Sequence, residues 1–267
     1  MNLHNYFQIT QTAATVAAMM QFPAPKAAAE PNPAVVQTAE RLLSGKPVER
    51  CLLYNPDAIG LWLYQKYTAE FIPVITHSQV AIPVNSVMPS VTPVCFASMY
   101  TGVTPDVHGI QAYVKPVLKI ETLFDAAIAA GKKPIIISTA GDSITQIFLE
   151  REMDYIVCQT PDECNERALE VLKENRHDIV VVYNANYDSQ MHRSGPEAPE
   201  TLAQLTHNAN AFAELTEAAA KAWQGLTWCS AFLPDHGCHE IDGNLGSHGL
   251  DMPEDMDIIH FYGFHQS

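Results

Sequence analysis

Short apolar runs alternate with amphipathic stretches along most of the chain. Most of these runs have strand length and lack polar alternation, as expected for strands buried on both faces of a parallel sheet. We predict strands at 51–54, 71–76, 80–84, 134–137, 179–183 and 226–233. We predict helices at 92–102, 122–130, 160–175 and 199–223. The alternation predicts an α/β fold with three layers, α/β/α, around a mostly parallel central sheet.

The first 45 residues are rich in alanine and proline, and we predict them to be a helical extension of a single domain covering residues 1–267. The Pro-rich stretch 21–33 is expected to pack on the core, with a lid over a functional site as the alternative. Residues 1–11 contain no lysine or arginine, and the apolar stretch 12–20 is weak. We therefore expect no secretion signal and a cytoplasmic protein.

The composition excludes two kinds of partner. The chain has 30 acidic and 15 basic residues and a formal charge of −15 at pH 7, so a basic face for a nucleic acid polymer is not expected. No apolar run approaches the roughly 18 residues that span a bilayer, so no membrane partner is expected. The six cysteines lack C-x-x-C spacing and mostly lie in apolar stretches, which indicates buried, reduced thiols. No pattern indicates an oligomeric state.

Acidic residues follow three of the predicted strands, where the strands end. They are Asp57, Asp188 and Asp235. Functional sites of open parallel sheets form outside the carboxyl ends of the strands, so these carboxylates are expected to meet at one edge. His192 stands four residues after Asp188, and His236 directly follows Asp235. Carboxylates and imidazoles are the ligands of zinc and manganese, although each pair alone is also common on solvated surfaces.

Thr92 and Pro93 mark the start of a helix. Proline is favoured in the first turn, and Thr92 is expected to be the N-cap residue. An anion beside Thr92 would then meet free backbone N–H groups of Val94 and Cys95. A plain helix cap is the alternative interpretation of this threonine.

These motifs stand in an order that resembles one known family. The segment 89–102, Pro-Ser-Val-Thr-Pro-Val-Cys-Phe-Ala-Ser-Met-Tyr-Thr-Gly, is followed by Pro-Asp-Val-His-Gly-Ile at 105–110. Together with Asp188-x-x-x-His192, Asp235-His236-Gly237 and a His248 loop flanked by glycines, they resemble the nucleotide pyrophosphatase/phosphodiesterase branch of the alkaline phosphatase superfamily. The resemblance extends from about residue 51 to residue 260.

The resemblance implies a fold, a cofactor and a set of roles. The fold is alkaline phosphatase-like. One divalent cation is implied at Asp188, His192 and His248, and a second at Asp57, Asp235, His236 and the Thr92 oxygen. Zinc suits these donors best, with manganese as the alternative. Thr92 is the implied nucleophile, and the Val94 and Cys95 amides contact the phosphate.

This chain departs from the family pattern at two points. Asn55-Pro56 and Ala58 surround Asp57, where the family has an aliphatic strand running directly into Asp-Gly. After the His-Gly-Ile turn the family places a phosphate-binding asparagine, whereas this chain has Gln111 and Tyr113 nearby. We assign Gln111 and Tyr113 to substrate binding in its place, which leaves the substrate preference open.

The resemblance implies a two-metal phosphoric-ester hydrolase that forms a covalent phospho-threonine on Thr92. A small phosphorylated metabolite or a nucleotide is the expected substrate, since the chain is acidic and lacks the long inserts of the nucleotide-binding members. A phosphomonoesterase or a phosphonate hydrolase of the same superfamily is the first alternative. A non-catalytic metal-binding protein is the second. A sulfatase is disfavoured, because Met99 stands where that family requires an arginine after its cysteine.

Overall fold

One eight-stranded sheet forms the centre of the molecule in the computed structural model, which describes residues 7–266. Its strands are β1 (Phe7–Gln8), β2 (Arg50–Pro56), β3 (Val80–Asn85), β4 (Pro134–Thr139), β5 (Asp154–Cys158), β6 (Ile179–Asn184), β7 (Thr227–Phe232) and β10 (Asp257–Gln266). The strand order is β1-β3-β10-β7-β2-β6-β4-β5. Two short strands, β8 (His239–Ile241) and β9 (Leu245–Ser247), form a separate antiparallel hairpin.

Helices cover both faces of this sheet. They are α1 (Thr12–Met19), α2 (Pro33–Leu42), α3 (Leu61–Lys66), α4 (Ile72–Thr76), α5 (Thr92–Thr101), α6 (Pro105–His108), α7 (Leu123–Ala129), α8 (Ser143–Ile147), α9 (Pro161–Glu174), α10 (Asn186–Ser194), α11 (Pro199–Ala222) and α12 (Pro253–Met256). Two 3-10 turns lie at Ile9–Gln11 and Thr68–Phe71. The predicted α/β class with three layers is confirmed.

The sheet separates two hydrophobic cores. Successive side chains of a strand point to opposite faces, and β2 shows the consequence. Cys51 and Leu53 pack into one core together with α1, α5 and α7, whereas Leu52 and Tyr54 pack into the other with α9 and α11. Because both faces are covered, the central strands are apolar throughout, which is why they could be predicted from the sequence.

The sheet is mostly parallel, and β10 is its antiparallel member. β10 pairs antiparallel with both β3 and β7, and therefore lies between them. The remaining pairs are parallel. They are β1 with β3, β7 with β2, β2 with β6, β6 with β4 and β4 with β5. As a result, the segments that follow β2, β3, β6 and β7 all emerge at one edge of the sheet.

The prediction of a strand at 71–76 is wrong, because this segment is helical. Phe71 and Val74 are fully buried, whereas Ile72 and Ile75 are 55% and 37% exposed. The buried positions are thus three residues apart, which is a helical period, and Pro73 lies in the first turn of α4, where its missing N–H has no cost.

The N-terminal segment packs against the far end of α5. Ala29 donates its backbone N–H to the carbonyl of Gly102 at 2.8 Å, and Ala28 lies directly against Gly102. Gly102 ends α5, so the Pro-rich stretch 21–33 lies about 15 Å along the helix from Thr92. Residues 1–6 of the predicted extension lie outside the described residues. None of the helices within 7–266 has both the length and the apolar character to cross a bilayer.

Candidate metal centre

The ends of three adjacent strands bring the predicted carboxylates together. Asp57 directly follows β2, and its backbone N–H donates to the carbonyl of Asn184, the last residue of β6, at 3.0 Å. On the other side of β2, the N–H of Leu233 donates to the carbonyl of Tyr54 at 2.8 Å, which fixes the segment leading to Asp235. The backbone ladder therefore continues past the strands and sets the positions of the residues that follow.

Asp188, His192 and His248 form the first of two triplets, with one side-chain ligand atom of each residue within 4.8 Å of the others. Asp188 and His192 lie four residues apart on one face of α10. Asp188 Oδ1 is 3.3 Å from His192 Nε2 and 3.4 Å from His248 Nε2. The triplet is partly open to solvent, since the His192 side chain is 43% exposed.

Asp57, Asp235 and His236 form the second triplet, within the same distance limit of 4.8 Å. His236 Nε2 lies 3.3 Å from Asp57 Oδ1 and 3.4 Å from Asp235 Oδ2. The Thr92 hydroxyl lies beside this triplet, with Oγ1 3.3 Å from Asp57 Oδ2 and 3.4 Å from His236 Nε2. All three members are buried, and the Asp235 and His236 side chains have no exposed surface.

The two triplets adjoin each other through their histidines. The rings of His236 and His248 stack with their centroids 4.1 Å apart, and the rings of His192 and His248 are 5.0 Å apart. The arrangement is thus one continuous cluster with two ligand sets, one buried and one facing solvent.

Each histidine of the cluster is oriented by a backbone carbonyl. His192 Nδ1 donates to Gly246 O at 3.0 Å, His236 Nδ1 to Gly237 O at 2.9 Å, and His248 Nδ1 to Ser90 O at 3.0 Å. A carbonyl oxygen only accepts, so Nδ1 carries the hydrogen in all three rings. In the neutral rings Nε2 then presents a lone pair to the carboxylates, as metal-ligating histidines do.

The cluster is made of acceptors that face one another. Asp57 Oδ1, Asp188 Oδ1 and Asp235 Oδ2 are buried and, when the histidines are neutral, have no hydrogen-bond donor among the described residues. These are the same oxygens that lie 3.3–3.4 Å from the histidine Nε2 atoms. A buried carboxylate oxygen without a donor is costly unless a cation compensates it. The residues therefore fit two divalent cations, one in each triplet.

The charges of the cluster shift its pKa values strongly. Burial and the nearby charge of Asp188 raise the pKa of Asp57 to about 7, and burial together with Asp57 raises the pKa of Asp235. Hydrogen bonding to Asp188 raises the pKa of His192 to about 9. Burial and the charge of His248 lower the pKa of His236 to about 3. Protons thus occupy part of the cluster when no cation does.

The start of α5 differs from its predicted form. Val91 is the N-cap residue and makes no side-chain capping bond, while Thr92 is the first helical residue. The Thr92 hydroxyl turns away from its own helix and contacts Asp57 and His236 instead. Threonine at this position therefore does not act as a cap.

The backbone amides of Val94 and Cys95 are already engaged in the helix. Both donate to the Val91 carbonyl at 3.0 Å, so neither N–H is free for a phosphate oxygen. The contact of these two amides with the phosphate stays a prediction, and it would require the bonds to the Val91 carbonyl to open. The Cys95 side chain lies in the core, where it accepts a hydrogen bond from Ser86 at 3.2 Å. The N–H of Thr92, at the first helical position, has no partner within the helix.

Tyr113 and Gln111 lie in the irregular segment between α6 and α7 and are exposed, Tyr113 by 59%. Burial raises the pKa of Tyr113, and the carboxylate of Asp57 adds to the effect. Lys115 lies 5.3 Å from the centre of the Tyr113 ring. Neither Tyr113 nor Gln111 makes a contact with the cluster that the structure describes, so their role in substrate binding stays a prediction.

Tyr183 belongs to the site and was not predicted. It lies near the end of β6 and donates its phenolic hydrogen to Asp57 Oδ2, the oxygen that also faces Thr92. Its position in a continuous apolar run indicated a core residue, and it is indeed 97% buried, with 3% exposure. Side chains alternate between the two faces of the sheet along β6, and this alternation could have identified Tyr183, because it places the residue on the face against which α5 packs.

No protein-family model and no curated protein matches the sequence. Solved structures do match. Two of them are structures of murine ectonucleotide pyrophosphatase/phosphodiesterase 5. An inactive threonine-to-alanine variant in complex with AMP matches with a TM-score of 0.58 and 14% identity, over 73% of this chain and 59% of that one. The murine protein itself matches with a TM-score of 0.57 and 16% identity, over 73% of this chain and 58% of that one. The human protein matches with a TM-score of 0.55 and 17% identity over 72% of this chain and 58% of that one.

The fold is that of an ectonucleotide pyrophosphatase/phosphodiesterase. The alkaline phosphatase-like architecture predicted from the sequence is thereby confirmed. At 14–17% identity the likeness concerns the fold, and this chain spans less than three fifths of the length of these pyrophosphatase/phosphodiesterase structures.

Proposed function

We propose that the protein is a two-metal phosphoric-ester hydrolase of the phosphodiesterase type, with Thr92 as nucleophile. One observation carries this proposal: three buried carboxylate oxygens without donors and three Nε2 atoms converge beside one threonine hydroxyl. The fold of nucleotide pyrophosphatase/phosphodiesterases supports it. Asp188, His192 and His248 would hold one divalent cation, and Asp57, Asp235, His236 and Thr92 the other.

Bound cations would supply Lewis acidity at the Thr92 oxygen and at the leaving oxygen. Zinc suits this mixture of imidazole and carboxylate donors best, and manganese is the alternative. The chain itself contributes orientation. The Nδ1 bonds to Gly246, Gly237 and Ser90 lock the histidine rings, and Tyr183 holds one oxygen of Asp57.

Thr92 would attack phosphorus in this proposal. Its hydroxyl donates to Asp57 Oδ2 at 3.3 Å, so its hydrogen points into the cluster and its lone pairs are available to a substrate. The Thr92 oxygen would form a bond to phosphorus and its proton would pass to the cluster, while the bond from phosphorus to the ester oxygen would break and that oxygen would take up a proton and leave as the alcohol. Water would then cleave the bond between phosphorus and Thr92, releasing a phosphate monoester and returning the hydroxyl to Thr92.

The charge of the site supports a phosphodiester over a monoester. The three carboxylates carry three negative charges, and two divalent cations would leave a net charge of +1. Within residues 7–266, no lysine or arginine forms an ion pair with either triplet. A phosphodiester monoanion would neutralise the site, whereas a monoester dianion would leave one negative charge without a partner.

A nucleotide or another small phosphorylated metabolite is the proposed substrate. The murine structural neighbour was crystallised with AMP, which supports nucleotides as the first class to test. The exposed ring of Tyr113 would contact the group attached to phosphorus. The cytoplasm is the proposed location, which the six buried free cysteines support because a reducing compartment keeps thiols free.

Variants of Thr92 test the proposal. Zinc-loaded protein is assayed on bis(p-nitrophenyl) phosphate, on p-nitrophenyl phosphate and on a p-nitrophenyl ester of a nucleotide. Thr92→Ala should lower kcat by roughly 10³-fold or more at unchanged zinc content, because the nucleophile is lost. Thr101→Ala is the matched control, since Thr101 is equally buried in the same helix and its hydroxyl bonds the Ala97 carbonyl.

The outcomes separate the alternatives. Faster turnover of the monoester than of the diesters would favour a phosphomonoesterase. A p-nitrophenyl phosphonate ester is assayed alongside them, and its turnover without turnover of the phosphate esters would favour a phosphonate hydrolase. Zinc binding without turnover of any ester would favour a metal-binding protein. Near-native turnover by Thr92→Ala would refute the assignment of the nucleophile.

A further inference from the structure

One buried carboxylate outside the ligand set joins the segments that carry the ligands. Asp255 lies in α12, just before β10, and its side chain has no exposed surface. Both of its oxygens accept hydrogen bonds, Oδ1 from His239 Nδ1 at 2.7 Å and Oδ2 from the N–H of Leu250 at 2.8 Å. His239 begins the β8–β9 hairpin, and Leu250 follows His248 by two residues.

The backbone of the same turn holds the other ligand set. The carbonyl of Asp255 accepts the N–H of Gly237, the residue after His236, at 2.8 Å. The neighbouring carbonyl of Glu254 lies so close to Gly237 that a Cβ there would be 2.0 Å away. A Cβ on Gly60, three residues after Asp57, would lie 2.9 Å from the same oxygen.

We infer that Asp255 is a positioning residue that holds the His248 loop against the Asp235-His236-Gly237 segment and so sets the spacing of the two cations. The inference rests on the proposed function only in assuming that cations bind. Asp255 contacts no member of either triplet, so it acts through Leu250, His239 and Gly237. The buried triplet is also fixed by the sheet, whereas His248 follows a partly exposed hairpin.

The two hydrogen bonds to Asp255 should depend on both of its carboxylate oxygens. Two donors, an imidazole N–H and a backbone N–H, point at the two oxygens of Asp255. Asparagine has nearly the same shape but only one oxygen, so it can accept only one of the two hydrogen bonds. The solvent-facing triplet should then lose its third ligand while the buried triplet keeps all of its own.

Zinc binding to Asp255→Asn tests the inference. The full chain is stripped of metal, and zinc is titrated against a chromophoric chelator, with zinc content measured after desalting. We expect two sites in the wild type, and in the variant one unchanged site and one weakened about tenfold or more, in the range that outer-shell residues show. Adding zinc should restore occupancy, and kcat at saturating zinc should fall less than kcat at limiting zinc.

Asp178→Asn is the matched control, because Asp178 is a nearly buried carboxylate that accepts from Lys133 N and pairs with Arg50 at the opposite end of the sheet. It should leave both zinc affinities unchanged. His239→Ala removes one donor from the same contact and should weaken the second site about threefold or more. This milder variant decides the question if Asp255→Asn fails to fold, as judged by circular dichroism.

Two wild-type affinities in Asp255→Asn, or in His239→Ala when the first variant does not fold, would overturn the inference. Equal weakening of both sites would also overturn it, because the effect would then be general loss of structure. A wild-type protein that binds two zinc ions and hydrolyses no ester would refute the proposed function alone, since this inference is measured by zinc affinity.

Discussion

Tyr183 donates its phenolic hydrogen to Asp57, and Thr92 contacts the same carboxylate oxygen from the other side. One oxygen of Asp57 thus receives two hydroxyl groups while its second oxygen faces the histidine of the buried triplet. The carboxylate is held in one orientation by a residue that lies between the sheet and α5.

Removing that hydroxyl should loosen Asp57. We expect Tyr183→Phe to lower kcat by about tenfold and to weaken zinc at the buried triplet, because an orienting hydrogen bond to a charged group is lost. Zinc titration and steady-state kinetics measure both effects. Tyr155→Phe is the control, since its hydroxyl bonds the Phe148 carbonyl far from the cluster. Wild-type kinetics in Tyr183→Phe would show that Asp57 needs no such support.

The unequal burial of the two triplets predicts metal loss in two steps. A chelator should first remove the cation from Asp188, His192 and His248, because the His192 side chain is 43% exposed. It should remove the cation from Asp57, Asp235 and His236 later, because these side chains are at most 2% exposed. The release of zinc from the loaded protein, followed with a chromophoric indicator, should show two phases of equal amplitude. His192→Ala should abolish the fast phase alone. A single phase in the wild type would contradict this prediction.

Zinc affinity should rise with pH between about 6 and 9. Without a cation, hydrogen bonding to Asp188 raises the pKa of His192 to about 9, and burial raises that of Asp57 to about 7. Both groups hold protons that a cation must displace, so affinity falls as pH falls. At pH 7 we expect roughly one to two protons to be released per chain. Calorimetry in buffers of different ionisation enthalpy counts these protons. Zinc binding without proton release would refute the raised pKa values of His192 and Asp57.

The same shifts give the metal-free protein a defined pH dependence of stability. The His192 pKa is raised in the folded state, so its contribution is complete below its unfolded pKa of about 6.5 and is lost as pH rises towards 9. The raised pKa of Asp57 acts in the same direction between about 4 and 7. The Tm of the metal-free protein should therefore fall from pH 6 to pH 9, and zinc should abolish most of this fall. A Tm that rises over this range without metal would contradict the sign.

The close backbone contact at Gly237 should make this position intolerant of a side chain. A Cβ would lie 2.0 Å from the Glu254 carbonyl, a backbone atom, so we expect Gly237→Ala to lower the free energy of unfolding by about 3 kcal/mol or more. Gly45→Ala is the control, because no atom lies within 4 Å of the added methyl group and only its positive φ of 77° opposes the change, at about 1 kcal/mol. Urea denaturation measures both. Equal losses of unfolding free energy in the two variants would show that the segment 253–256 can move to accommodate the added methyl group.

Tyr113 should act on substrate binding and leave the chemistry largely unchanged. Tyr113→Ala is expected to raise KM about fivefold for an ester with an aromatic group and to change kcat little, because stacking affects ground state and transition state alike. The rise in KM should be smaller for methyl p-nitrophenyl phosphate, in which the second group on phosphorus is only a methyl group. An unchanged KM for both esters would remove Tyr113 from the site.

The sequence was sufficient for five strands of the sheet and for the acidic residues at its edge, whereas β1, β5 and β10 were not predicted. Strands buried on both faces are apolar throughout, and an acidic residue just after such a strand lies at the carboxyl edge whatever the rest of the chain does. Asp57, Asp188 and Asp235 could thus be placed at one edge without coordinates. That they ligate cations stays a prediction.

Other features depend on contacts that a linear pattern does not encode. Tyr183 has the appearance of a core residue, and Asp255 that of a solvated acid in a polar loop, because their partners lie far away in the chain. The orientation of the Thr92 hydroxyl is decided by Asp57 and not by its own helix, so the capping rule misassigned it. The helix at 72–76 was misjudged because a short apolar segment containing proline has no clear period.

The position of β10 has a consequence for biosynthesis. Thr92 follows β3 and Asp235 follows β7, and β10, which comes last in the chain, separates those two strands. Thr92 and Asp235 therefore reach their final spacing only after the segment 257–266 has been synthesised and has inserted between β3 and β7. Cation binding should accordingly follow the insertion of β10, and truncation within this segment should weaken zinc binding.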